Sequence, residues 1–127
     1  MSHLHAIVWI DHTKAIVMHV SPDDVEKSTI EPHHPSHKVH GHAGTLGSGR
    51  TPDDQDFLHR VVVSLQGAKE ILIVGPAQAK LQLVKHIHAH DPALVDKVVG
   101  VESVDHPTDG QLVAYARKYF RAKDMML

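Results

Sequence analysis

Glu70-Ile71-Leu72-Ile73-Val74-Gly75-Pro76 carries the plainest structural signal in the chain. Ile71 to Val74 are apolar without interruption, so both faces of a pleated segment here would be apolar. A run this short, closed by Gly-Pro, reads as a strand covered on both sides, the pattern of a sheet sandwiched between helices. Proline has no N–H to give to a ladder, so the strand stops at Gly75. Downstream, a helix is predicted with Leu81, Val84 and Ile87 on its buried face and Lys80, Lys85, His86 and His90 on its polar face. Upstream, Phe57, Leu58, Val61, Val62 and Leu65 recur at helical spacing. The start of that helix is signalled by Thr51 as N-cap, Pro52 at the first helical position and acids in the first turn.

The same two-sided pattern occurs at His5 to Asp11 (HAIVWID), with Ala6, Val8 and Ile10 on one side and Ile7 and Trp9 on the other. Asp11-His12-Thr13-Lys14 is turn-like, and Ala15 to Val20 forms a second β-rich run, so the pair reads as a hairpin. Val25 to Glu31 (VEKSTIE) is more polar, as expected of an edge strand. Beyond the second helix, Asp91-Pro92 predicts a short helical turn, and Lys97 to Val101 a fifth strand. Thr108 and Gln111 have capping-box spacing ahead of a last helix whose stripe is Leu112, Val113, Ala116 and Phe120. The element order is β-β-β-α-β-α-β-α: an α/β, three-layer arrangement on a five-stranded mixed sheet, which is ribonuclease H-like topology.

With 127 residues and 42% hydrophobic content, residues 1–127 are expected to form a single domain. Lys+Arg 13 against Asp+Glu 15 leaves a formal charge of −2, without the basic excess of a dedicated nucleic-acid binder, so RNA contact would have to come from a local patch. The absence of cysteine excludes disulfides, thiolate zinc sites and cysteine nucleophiles. Ala6 to Ile10 is too short for a signal-peptide core or a membrane span, and a cytoplasmic protein with no membrane partner is expected. Fourteen histidines are the compositional outlier, and protonating them would reverse the sign of the net charge.

Residues 32–50 have no apolar period and are rich in Gly, Pro, Ser and His, which predicts a long loop. It holds His33, His34, His37, His40 and His42, and imidazole is a common ligand for Zn²⁺ or Ni²⁺. A metal site here is one reading; a solvated polar loop, made mobile by its glycines, is the other. His86 and His90 share a helical face, and their placement at a helix C-terminus explains them without a ligand. Gly75-Pro76-Ala77 with Lys80 could hold an anion at a helix start, or be a plain tight turn. On the last helix Arg117, Lys118 and Arg121 interleave with Tyr115 and Tyr119, either as a phosphate- and base-binding surface or as dipole partners with part-buried rings. Asp11, Asp54 or Asp56, and Asp109 could serve a two-metal nuclease, but the fourth strand supplies no central carboxylate, so nuclease activity is not expected.

The stretch Ile71 to Pro76, with Lys80 on the next helix, then Val98-Val99-Gly100-Val101 and Thr108-Asp109-Gly110-Gln111-Leu112, resembles the middle domain of archaeal and eukaryotic class 1 peptide release factors and the related Pelota proteins. The whole chain also resembles small stand-alone bacterial translational machinery proteins. The resemblance implies that loop 32–50 matches the loop which, in release factors, carries the Gly-Gly-Gln used in peptidyl-tRNA hydrolysis. No Gly-Gly-Gln occurs here: Gly47-Ser48-Gly49-Arg50 lacks the glutamine, and Gln55 falls in the next helix. The flanking codon-reading and partner-binding domains are not expected in residues 1–127. What carries over is a non-enzymatic factor that binds the ribosome or structured RNA through Arg50, Lys80, Arg117, Lys118 and Arg121, with no cofactor required. The alternative is a metal-binding protein using the loop histidines for Zn²⁺ or Ni²⁺.

Overall fold

A computed structural model describes residues 5–32 and 52–125. β1 (His5–Ile10) and β2 (Ala15–Ser21) form the predicted hairpin, in register from His5↔Val20 to Ile10↔Ala15. Asp11 closes its turn: Oδ1 accepts from Thr13 N at 2.8 Å, Thr13 Oγ1 at 2.8 Å and Lys14 N at 2.9 Å, so one side chain satisfies donors the ladder cannot reach. β3 (Asp24–Ile30) pairs antiparallel with β2 and lies at the sheet edge, mostly exposed, as its polar sequence requires. α1 (Pro52–Ser64) follows, then β4 (Glu70–Gly75), parallel to β1. α2 (Ala79–His90), α3 (Pro92–Val95) and β5 (Val98–Ser103), parallel to β4, lead to α4 (Asp109–Met125). The sheet order is β3-β2-β1-β4-β5, so β1 and β4 are interior, as their two-sided apolar sequences predict.

Strand alternation divides the core in two. Ala6, Val8, Ile10, Val17, Ile71 and Ile73 face α1, α2 and α3, while Ile7, Trp9, Met18, Leu72 and Val74 face Leu112, Ala116 and Phe120 of α4. Three layers result, because each interior strand has one apolar row for each helical layer. Each fully buried aliphatic side chain contributes about 1.5–3 kcal/mol through removal from water, so neither row could be exposed cheaply. Where β4 passes the end of β1, a Cβ on Gly75 would collide with the Ile10 carbonyl oxygen, which is why the apolar run ends in glycine. At the far end of α1 the chain reverses through Gly67 at φ +94°, a left-handed conformation that glycine adopts without steric cost.

One predicted helix face differs. On α2 the buried residues are Ala79, Lys80, Leu83, His86 and Ile87, whereas Leu81 is 45% exposed. The stripe Ala79-Leu83-Ile87 faces the sheet at i, i+4, i+8 spacing, and Leu81 points away from it. Lys80 and His86, expected on the polar side, are drawn inward with it. Lys80 is 8% exposed and donates to the Ala77 carbonyl at 2.5 Å; His86 is 6% exposed and meets Gln55 on α1. At α4 the capping box forms as expected: Gln111 N donates to Thr108 Oγ1 at 3.1 Å, and Thr108 N donates to Gln111 Oε1 at 2.9 Å.

Candidate nucleic-acid interface

α4 positions the basic residues. Leu112, Ala116 and Phe120 are pulled onto the sheet, and that rotation turns a shallow groove outward along Gly110, Val113, Ala114, Arg117, Lys118 and Arg121. Lys118 and Arg121 are exposed. Arg117 is half-buried and reaches down the hairpin, where Nη2 donates to the Ser21 carbonyl at 2.9 Å. Arg117 and Arg121, one helical turn apart, are separated by about 6 Å along the axis. Guanidinium groups bind phosphate through paired, charge-assisted hydrogen bonds, so such a row suits a sugar–phosphate backbone. Gly110 and Ala114 present no bulk above the helix surface, which leaves the cations accessible from that side.

The tyrosines do not share this face. The Tyr115 hydroxyl donates to Glu102 on β5, and the Tyr119 hydroxyl donates to the Val99 carbonyl at 3.1 Å. Both rings pack against the α4-side core and lie beside β5, so the interleaving seen in sequence is not a base-stacking platform. Burial raises the Tyr115 pKa to about 12, with the Glu102 hydrogen bond and charge, and then Tyr119, adding to it. Burial also raises Tyr119, helped by Glu102 and Glu70. Lys80 belongs to the opposite helical layer and its ammonium is engaged by Ala77, so it does not join the α4 cations. Arg50, His33, His34, His37, His40 and His42 lie outside the described residues.

The carboxylates considered for nuclease chemistry are engaged separately among the described residues. Asp11 is held in the hairpin turn, Asp56 pairs with Arg60 at 3.2 Å, and Asp109 pairs with Lys27 at 2.6 Å. Burial pushes the Asp11 pKa up, but hydrogen bonds from Thr13 and Lys14, with His106 nearby, outweigh it and hold the carboxyl below its ordinary value. Glu70 sits at the N-terminal end of β4, 3.3 Å from His5 Nε2, far from the strand ends where parallel sheets place ligands. At those ends Trp9 Nε1 donates to the Asp105 carbonyl at 2.6 Å, and His106 lies over the indole with ring centroids 5.1 Å apart. The sequence reading missed this seam because it joins residues about a hundred positions apart with no shared motif.

No family model matches the chain, and no curated protein matches it by sequence. Among solved structures it is similar to Pelota from Archaeoglobus fulgidus, with a TM-score of 0.60 at 14% identity over 95% of this chain and 36% of that one. It is similar to the archaeal translation termination factor aRF1, with a TM-score of 0.56 at 15% identity over 96% of this chain and 38% of that one. It is also similar to Saccharomyces cerevisiae Dom34, described as a translation termination-like factor involved in RNA quality control, with a TM-score of 0.57 at 13% identity over 96% of this chain and 37% of that one. The chain thus spans little more than a third of these proteins' length. Nearly the whole chain therefore has the fold of one segment of the Pelota and release-factor proteins, in agreement with the resemblance read from residues 70–112.

Proposed function

We propose that this protein is a translation-related factor that binds ribosomal or other structured RNA through the outer face of α4, and that it acts by binding rather than by chemistry. The observation that carries the reading is the conjunction of two features. The fold matches Pelota and aRF1 over nearly the full chain, and the same fold turns Arg117, Lys118 and Arg121 to one side of α4. A net charge of −2 would otherwise repel RNA, so a local cationic row is what phosphate contact requires. The non-enzymatic part rests on residues: no Gly-Gly-Gln stands in the sequence, and of the candidate acids Asp11, Asp56 and Asp109 serve separate local contacts, while the Asp54 side chain lies outside the described residues. Arg50, at the end of the histidine-rich segment, is a second contact proposed on sequence alone.

The test is an affinity pull-down of the tagged chain from cell lysate at several salt concentrations, with bound RNA and protein identified. Recovery of ribosomal RNA that declines steeply with salt is expected. Recovery of no RNA at low salt would overturn the reading.

A further inference from the structure

His86 is drawn into the interface between α1 and α2, and its two ring nitrogens meet different neighbours. Nδ1 lies 2.8 Å from Gln55 Oε1, an acceptor, so Nδ1 carries the proton and Nε2 presents its lone pair. Nε2 is buried without a hydrogen-bond partner and lies 3.9 Å from Asp91 Oδ2, which is also buried without one. A bare imidazole nitrogen and a carboxylate oxygen are both electron-pair donors, and a metal cation between them would satisfy both. Asp91 stands at the N-cap of α3 yet makes no side-chain capping hydrogen bond, so no N–H of that helix occupies its carboxylate. His59, exposed on α1, closes the third side: one ligand atom each from His59, His86 and Asp91 lie within 4.8 Å of one another.

We propose that His59, His86 and Asp91 form a binding site for a zinc-class divalent metal that clips α1 to the α2–α3 junction. Two imidazoles and a carboxylate are a donor set suited to Zn²⁺, and three protein ligands leave a fourth position for water. Donors at about 2.0–2.1 Å from a tetrahedral ion stand roughly 3.4 Å apart, so the His86–Asp91 pair needs only a small closure, and His59 has the freedom to swing in. Gln55 supplies what metal-bound histidines commonly have, an oxygen on the other ring nitrogen that fixes tautomer and orientation. Burial, then His90, lowers the His86 pKa; Asp91 opposes this and His59 adds to it. The site shares no residue with the histidine-rich segment or with the α4 face, so it stands whether or not the chain binds RNA.

The test uses the full chain with His33, His34, His37, His40 and His42 changed to Asn, which removes the other concentrated source of imidazole. Calorimetric titration with Zn²⁺ alone is expected to show one saturable equivalent, and Zn²⁺ is expected to raise the melting temperature. His59→Asn and Asp91→Asn, chosen because neither side chain is fully buried, should each weaken Zn²⁺ binding tenfold or more and abolish the melting shift. Gln55→Ala should weaken binding about 10–100-fold through loss of the orienting hydrogen bond. Absence of a saturable site, or unchanged Zn²⁺ affinity in both His59→Asn and Asp91→Asn, would overturn the proposal.

Discussion

Tyr115 and Tyr119 are the only tyrosines in the chain, so a phenolate absorbance titration reads them without interference. Both are predicted to ionise above the ordinary value of 10.0, Tyr115 with a midpoint near 12. Glu102→Gln should lower the Tyr115 midpoint by removing a charged acceptor, while Tyr115→Phe leaves a single transition; two transitions near 10 in the parent would contradict the packing of α4 on β5. Because the folded pKa of Tyr115 is raised, its contribution to stability is complete below about pH 10 and is lost as pH rises toward 12. Asp11 has the opposite sign. Its folded pKa lies below 3.8, so its contribution is present above that value and disappears as pH falls through the lower folded value. Denaturant melts of Asp11→Asn should therefore show a smaller loss of stability on acidification below about pH 4 than the parent shows. An acid limb identical to the parent's would mean that the turn hydrogen bonds do not favour the ionised form.

Helix α2 is the element on which hydropathy and structure disagree, and two substitutions separate them. Leu83 is fully buried, so Leu83→Ala should cost about 2–5 kcal/mol in chemical denaturation, whereas Leu81→Ala should lie within about 0.5 kcal/mol of the parent. The reverse ranking would restore the face expected from sequence. That expectation failed at Leu81 because Leu81, Val84 and Ile87 form a credible apolar row that shares Ile87, and in part Val84, with the true one, and because Lys80 and His86 look polar until Ala77 is seen to accept from Lys80 and Gln55 to meet one ring nitrogen of His86. β1 and β4 were readable because uninterrupted apolar residues admit no exposed face, and the α4 capping box was readable because its hydrogen bonds are local. The His59–His86–Asp91 cluster was only half readable: Asp91 follows directly on α2, but His59 becomes a neighbour of His86 only when α1 packs on α2. Gly75→Ala should also be destabilising, by about 1–3 kcal/mol, since its Cβ would meet the Ile10 backbone rather than a side chain able to move.

At the scale of the whole molecule, the three layers assign different work to different faces. One helical layer, α1 to α3, is bound closely to the sheet and holds the His59–His86–Asp91 cluster; the other, α4 alone, exposes its outer side. Among the described residues, no helix is long and apolar enough to cross a membrane. Element order, layer count and the apolar stripe of α4 were visible in hydrophobic period alone, and the docking of Leu112, Ala116 and Phe120 follows that stripe. The same docking turned the tyrosines away from Arg117 and Arg121, in keeping with the two-residue offset between them, about 200° around the helix. The most direct test of RNA binding by that outer side is the affinity of purified ribosomes for the parent and for a Lys118→Ala, Arg121→Ala double variant, measured across a salt series. These two residues are exposed, so the variant keeps the Arg117 contact with Ser21 and the fold. If both cations neutralise phosphates, the plot of log affinity against log salt should be shallower in the variant by about 1.4–1.8, with weaker binding at low salt. Equal affinities and equal slopes for the two proteins would contradict it.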